Sequence, residues 1–115
     1  MDVLIFDDDV SLAELLAESL RHDGLEAETY NSGAGAIERI RRLRPRVLIL
    51  DVMMPGVDGL SLCREIKTDP DLVSIQVVIT SAKGYTEVGA QAQRLGAAAF
   101  LKKPFDRKRL RSTVR

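Results

Sequence analysis

Tryptophan is absent from this chain, and cysteine occurs once, at Cys63. A single thiol excludes a disulfide framework and a thiolate metal cluster, so Cys63 reads as a small residue on a helix face. Aromatic residues number five, three Phe and two Tyr, and no RNA-binding signature accompanies them. Nucleic acid is therefore not the main business of this domain. Long apolar stretches are also lacking. Val3–Phe6 and Val47–Leu50 fall far below the roughly 20 residues of a membrane span. Asp2 and the run Asp7-Asp8-Asp9 interrupt any apolar leader, so no signal peptide is read and a reducing, cytoplasmic setting is expected. Net charge is missing too, because 17 Lys and Arg balance 17 Asp and Glu. That balance hides an asymmetry. Residues 1–60 carry 12 acids and 6 bases, whereas residues 61–115 carry 5 acids and 11 bases. The basic end reads as the solvated face of a terminal helix.

What is present suits one domain. At 115 residues and 45% hydrophobic content, about two thirds of the unfolded surface can be buried without staples. Apolar periodicity alternates along the chain between strand and helix. Val3-Leu4-Ile5-Phe6 is too short for a helix and fits a strand buried on both faces. Ser11-Leu-Ala-Glu14 then reads as a capping box opening a helix whose inner face is Leu12, Leu15, Leu16 and Leu20, ended by Gly24. Residues 25–30 form a weaker strand. Ser32 is the expected cap of a second helix, with Ile37, Ile40 and Leu43 inward, Arg39, Arg41 and Arg42 outward, and Pro45 closing it. Val47–Leu50 is a second doubly buried strand ending at Asp51, followed by turn chemistry over residues 55–59. Leu62 and Ile66 mark a third helix, broken at Asp69-Pro70-Asp71. Gln76–Thr80 is the fourth strand, residues 86–95 a poor fourth helix interrupted by Gly89, and Ala98–Leu101 the fifth strand. Lys103-Pro104 stops it before a basic fifth helix from Phe105 onward. Five strand–helix units in tandem predict an α/β fold, a doubly wound parallel sheet with helices on both faces. A chain stopping within its last helix is expected to be cut from a longer polypeptide.

In such sheets functional groups gather at the carboxyl ends of the strands. There the sequence places Asp7-Asp8-Asp9, Asp51, Thr80-Ser81 and Lys103. Adjacent central strands would bring Asp7, Asp8 and Asp51 into one pocket, where two carboxylates about 4 Å apart repel by roughly 4 kcal/mol at an effective dielectric of 20. Mg²⁺ suits hard oxygen ligands with room for water, and Lys103 supplies a compact extra positive charge. The constellation prepares a carboxylate as nucleophile toward phosphorus, and Asp51, the lone acid on its strand, is the best candidate. Asp9 is expected to support the first helix N-terminus, while His22 and Lys102 read as solvated.

Taken in order, Val3-Leu-Ile-Phe-Asp-Asp-Asp9, Asp51-Val-Met-Met-Pro-Gly-Val-Asp-Gly59, Ser81-Ala82 and Lys103-Pro104-Phe105 resemble the receiver domain of two-component response regulators. The resemblance covers essentially the whole chain, 1–115. It implies a flavodoxin-like (βα)5 fold with strand order 2-1-3-4-5, and a phosphoacceptor that assists its own phosphorylation and slow dephosphorylation rather than an enzyme. It also implies Asp51 as the phosphoacceptor, and Mg²⁺ held by Asp8, Asp51 and the Met53 carbonyl, with Asp7 acting through water. Lys103 would contact the phosphoryl group, with Pro104 following in a cis peptide. Ser81 would be the switch hydroxyl and Phe100 the switch aromatic. The implied partners are a sensor histidine kinase or phosphotransfer protein, an output domain or downstream protein, and, when phosphorylated, a second copy through the face of the fourth helix, fifth strand and fifth helix. Nucleic acid would be met only through an output domain, and a membrane not at all.

Some residues depart from the family pattern. Gln76 replaces a common Pro, and Phe100 lacks the phenol that Tyr often supplies. Met53 and Lys83 occupy the two positions that tune phosphoryl loss, and neither offers an amide or carboxylate to orient water. Two other readings are a non-phosphorylated interaction module of the same fold and a small haloacid-dehalogenase-type phosphatase with Asp7 as nucleophile. The second leaves Asp51-Val-Met-Met-Pro unexplained.

Overall fold

The structure, a computed structural model, describes residues 1–114, with Tyr85 described by its backbone alone. The described residues form, in order, β1 (Val3–Phe6), α1 (Val10–His22), β2 (Ala27–Tyr30), α2 (Ala36–Leu43), β3 (Val47–Asp51), β4 (Met53–Met54), β5 (Val57–Asp58), α3 (Gly59–Thr68), β6 (Gln76–Ser81), α4 (Ala90–Arg94), β7 (Ala99–Lys102) and α5 (Arg107–Val114). Five strands form one parallel sheet in the order β2-β1-β3-β6-β7. These are the five expected sheet strands in the expected 2-1-3-4-5 order. The short strands β4 and β5 pair antiparallel as a separate hairpin, which the sequence showed only as turn residues. No helix among the described residues is long and apolar enough to cross a membrane.

Strand alternation divides the core into two layers. Leu4, Phe6, Leu48, Leu50, Val77 and Ile79 point to the side covered by α2, α3 and α4. Val3, Ile5, Val47, Ile49, Val78 and Leu101 face α1 and α5. All of these are essentially solvent-free, and burying such a side chain fully stabilises the fold by about 1.5–3 kcal/mol. That is why β1, β3 and β6 read as unbroken apolar runs: a central parallel strand has no wet face.

Three expectations about helices need correction. The cap of α1 is Asp9, whose carboxylate accepts the Leu12 N–H at 3.0 Å, and not Ser11. The helix starts two residues earlier than the capping box allowed, because β1 leads almost directly into it. Leu15 is not inward but 59% exposed. The buried stripe runs through Ala13, Leu16, Ala17 and Leu20, where small alanines let the helix lie close to the sheet, and Leu15 falls off that stripe. Ser32 does not cap α2 either. Gly35 holds that position, while the Ser32 hydroxyl accepts the Ala34 N–H and donates to the Pro55 carbonyl. Of the three arginines expected outward on α2, Arg39 lies over the Tyr30 ring, 4.4 Å from its centroid. Gly24 ends α1 as expected, at φ +88. The poor fourth helix is composite: residues Tyr85–Gly89 form a π-turn, followed by five residues of α-helix. Arg115, the last basic residue expected in α5, lies outside the described residues.

The caps give a direct test. Asp9→Ala should lower stability in urea denaturation by about 1 kcal/mol, whereas Ser11→Ala should cost less than about 0.5 kcal/mol. The reverse order would restore the Ser11 box.

Candidate functional site

The sheet delivers its polar residues to one edge by register. Phe6 pairs with Leu50, so Asp7 leaves β1 beside Asp51, the last residue of β3. Asp51 pairs with Thr80, and Ser81 with Lys102. Backbone bonds continue past the strand ends: Val52 N–H donates to the Thr80 carbonyl at 3.1 Å, and Lys103 N–H to the Ser81 carbonyl at 2.7 Å. Lys103 is thereby carried one step beyond β7 into the pocket, and the Lys103–Pro104 peptide that follows is cis. Gly59 shapes the floor. A Cβ there would meet the Asp51 carbonyl oxygen at 2.5 Å and Val52 Cα at 2.9 Å, so only glycine lets the start of α3 pass so close behind Asp51.

Asp7, Asp8 and Asp51 each present a carboxylate oxygen, and these oxygens lie within 4.8 Å of one another. Asp7 and Asp51 are buried and Asp8 is exposed. Such a set can hold a hard divalent ion, with the exposed Asp8 leaving an open side for water. Lys103 Nζ reaches two of the three carboxylates, at 2.9 Å from Asp7 and 3.5 Å from Asp51. The other Asp7 oxygen accepts the Asp9 N–H at 2.9 Å, so both oxygens of Asp7 are engaged. Burial pushes the Asp51 carboxyl up from an ordinary 3.8 to about 6; Lys103 pulls it back, and Asp7 and Asp8 add to the rise. Burial also opposes the Lys103 ammonium, but the Asp7 hydrogen bond and the charges of Asp51 and Asp7 outweigh it and hold its pKa above the usual lysine value.

The remaining residues singled out from the sequence lie at the end of β6, on the hairpin, on β7 and in the core. Ser81 is buried at the end of β6, where its hydroxyl accepts the Lys83 N–H at 3.0 Å. Met53, on β4, is 68% exposed. With Ser81, Lys83 and Val88 it lines an open groove of about 430 Å³ that also borders Val52 and Asp58. Phe100 is half-buried on β7, packed on the α2–α4 side of the core. It pairs with Ile79, two residues before Ser81, so Phe100 and Ser81 share a sheet face. Cys63 is fully buried, and burial raises its thiol pKa. Sequence reasoning missed Asn31, whose amide donates to the Asp7 carbonyl at 2.9 Å, because an isolated Asn after an edge strand carries no periodic signal.

Asp51 titrates higher in the fold than in the unfolded chain. Its protonation therefore favours the folded state below the ordinary pKa of 3.8, and that contribution is lost as pH rises through about 6. In metal-free buffer, Asp51→Asn should raise stability by about 1–2 kcal/mol near pH 7.5, a gain that vanishes near pH 4. Urea denaturation at the two pH values checks this, and an equal effect at both would contradict it.

Comparison with known proteins places the geometry in a wider set. Residues 3–115 match the family model of the response regulator receiver domain. The DNA-binding response regulator MtrA of Mycobacterium tuberculosis is 35% identical over 113 residues, 98% of this chain and 48% of the relative. Response regulator MprA of Mycobacterium leprae is 35% identical over 115 residues, all of this chain and 50% of the relative. The chain thus spans about half the length of the curated relatives it matches. Among solved structures, the receiver domain of NtrX from Brucella abortus is 35% identical with a TM-score of 0.86, covering 96% of this chain and 92% of that one. The chemotaxis response regulator CheY4 of Vibrio cholerae has a TM-score of 0.89 at 26% identity, covering 98% and 94%. The family match runs through every strand of the sheet and all three pocket carboxylates, and the chain belongs to the response regulator receiver domain family.

Proposed function

We propose that this domain is a phosphorylation-controlled switch that accepts a phosphoryl group on Asp51 from a sensor histidine kinase or phosphohistidine carrier, with Mg²⁺ as cofactor. The observation that carries the reading is the convergence of Asp7, Asp8 and Asp51 within 4.8 Å under one ammonium that reaches two of them. Three carboxylates, one divalent cation and one ammonium sum to zero. The donor set is all oxygen, as Mg²⁺ requires. Asp8, Asp51 and the Met53 carbonyl would hold the ion directly, and Asp7 through water. When bound, Mg²⁺ neutralises charge at the site and polarises a phosphoryl oxygen.

Asp51 is the nucleophile in this reading. One of its oxygens forms the bond to phosphorus while the phosphorus–nitrogen bond of the donor breaks, and the imidazole leaves with the electron pair. Lys103 turns from Asp51 to a phosphoryl oxygen and keeps its partner Asp7. The new group carries about −1.5 to −2 charge. Ser81 exchanges the Lys83 N–H for a phosphoryl oxygen, to which its hydroxyl donates, and vacates space on the face it shares with Phe100. The aromatic ring turns into that space, and the surface of α4, β7 and α5 changes shape. A shift from 1:99 to 99:1 between the two forms needs about 5.5 kcal/mol of differential stabilisation. That surface would then control an output domain or downstream partner, or pair with a second copy, in a cytoplasmic setting. Asp7 is a poor nucleophile by contrast, because both its oxygens are engaged, which disfavours a phosphatase built on it.

Incubation with acetyl phosphate and Mg²⁺, followed by intact mass measurement, tests the reading. One phosphoryl adduct is expected, lost in Asp51→Asn and lost without Mg²⁺. No adduct from this donor or from a phosphohistidine protein would favour the unphosphorylated interaction module. Steady phosphate release that survives Asp51→Asn and fails in Asp7→Asn would favour the phosphatase. The adduct should also decay slowly once formed, because Met53 and Lys83 orient no attacking water; rapid intrinsic loss followed by the same mass measurement would contradict that.

A further inference from the structure

The proposed ion site includes one backbone group, the Met53 carbonyl, and the hairpin that carries it is held from outside. Met53 and Met54 pair with Asp58 and Val57 across the turn Pro55-Gly56. At its base the hairpin is closed by Gly59 N–H, which donates at 3.1 Å to the carbonyl of Val52, one residue past β3. At its tip it is pinned by the loop between β2 and α2: Gly33 N–H donates to the Pro55 carbonyl at 3.0 Å. Gly33 is buried and φ is not what demands glycine there, since it is not among the positive-φ residues. Contact is the reason. A Cβ on residue 33 would lie 1.9 Å from Val57 Cγ1, 2.6 Å from Val57 Cβ and 3.3 Å from its backbone nitrogen. Val57 is short and branched at Cβ, so it has no flexible end to swing aside, and its backbone must move instead.

We propose that Gly33 is a positioning residue for the ion site: by closing on Val57 and Pro55 without a side chain, it sets the hairpin and thereby the Met53 carbonyl relative to Asp51. This rests on the reading of the site as a Mg²⁺ centre. Its logic is that of an outer contact that orients a ligand without touching the ion, where loss commonly weakens metal affinity about tenfold or more. A methyl on residue 33 displaces Val57, the antiparallel ladder carries the shift to Met53, and the three carboxylates at the ends of β1 and β3 stay in place.

Mg²⁺ binding measured by titration calorimetry on the unphosphorylated protein tests the proposal without reference to phosphoryl transfer. Gly33→Ala should weaken Mg²⁺ affinity about tenfold, while Leu72→Ala, a buried core change far from the hairpin, lowers stability and leaves affinity unchanged. In Gly33→Ala/Val57→Gly the added methyl replaces both Val57 carbons it would otherwise meet, leaving only the backbone nitrogen at 3.3 Å, so affinity should return to within about threefold of the original, a coupling that independent sites do not show. If Gly33→Ala does not fold, Val57→Gly opens the same contact from the other side: it should weaken affinity, and the double variant should recover it. Unchanged affinity in folded Gly33→Ala, or equal loss in Leu72→Ala, overturns the positioning role. Absence of Mg²⁺ binding in the original protein, with Asp8→Asn indistinguishable from it, overturns the reading of the site itself and this inference with it.

Discussion

Asp7 and Asp51 end neighbouring strands with Asp8 beside them, and the ammonium of Lys103 reaches the first two at 2.9 and 3.5 Å. Each close pair of carboxylates repels by roughly 4 kcal/mol at an effective dielectric of 20, and a single ammonium cannot offset three such charges. The fold keeps them together because β1 and β3 are buried on both faces and cannot separate without exposing the core. The excess negative charge is what raises the value of a cation there, and burial is what keeps Asp51 reluctant to ionise alone. Hydrophobic packing thus holds in place a polar arrangement that would disperse on its own.

Around that centre, helical regularity falls off in one direction. The sheet and α1 are continuous and regular, whereas the segment leading into α4 is a π-turn followed by only five α-helical residues. Single π-turns interrupt the regular hydrogen-bond ladder and recur at functional sites. Ser81 and Phe100 lie on the sheet face beneath this segment, so the residues proposed to move sit under the element with the least regular support.

The sheet was legible in the sequence because its central strands have no wet face: Val3–Phe6 and Val47–Leu50 announce themselves as apolar runs, and the acids that terminate them fall at the pocket. Lys103 was legible through its setting before Pro104. Helix starts were less so. Ser11 and Ser32 have good capping chemistry, but Asp9 takes the first role because β1 feeds straight into α1, and Ser32 is recruited by Pro55, 23 residues away in the chain. Leu15 misled because leucines alone were followed, whereas the buried stripe is shared between Leu16, Leu20 and the alanines Ala13 and Ala17. Asn31 and Gly33 were silent for the same reason: each acts through a partner distant in sequence, and neither leaves a periodic or compositional trace.

The two-sided burial of β1, β3 and β6 has a mechanical corollary. Close-packed apolar layers are nearly incompressible, so a group added at Asp51 cannot be accommodated by the strands yielding along their length or bowing between the layers. Displacement is channelled outward at the carboxyl edge, into the loops, where stiffness is low. The molecule therefore behaves as an anvil with a compliant rim: the harder the sheet, the more completely a local chemical event is converted into movement of the surface beside it.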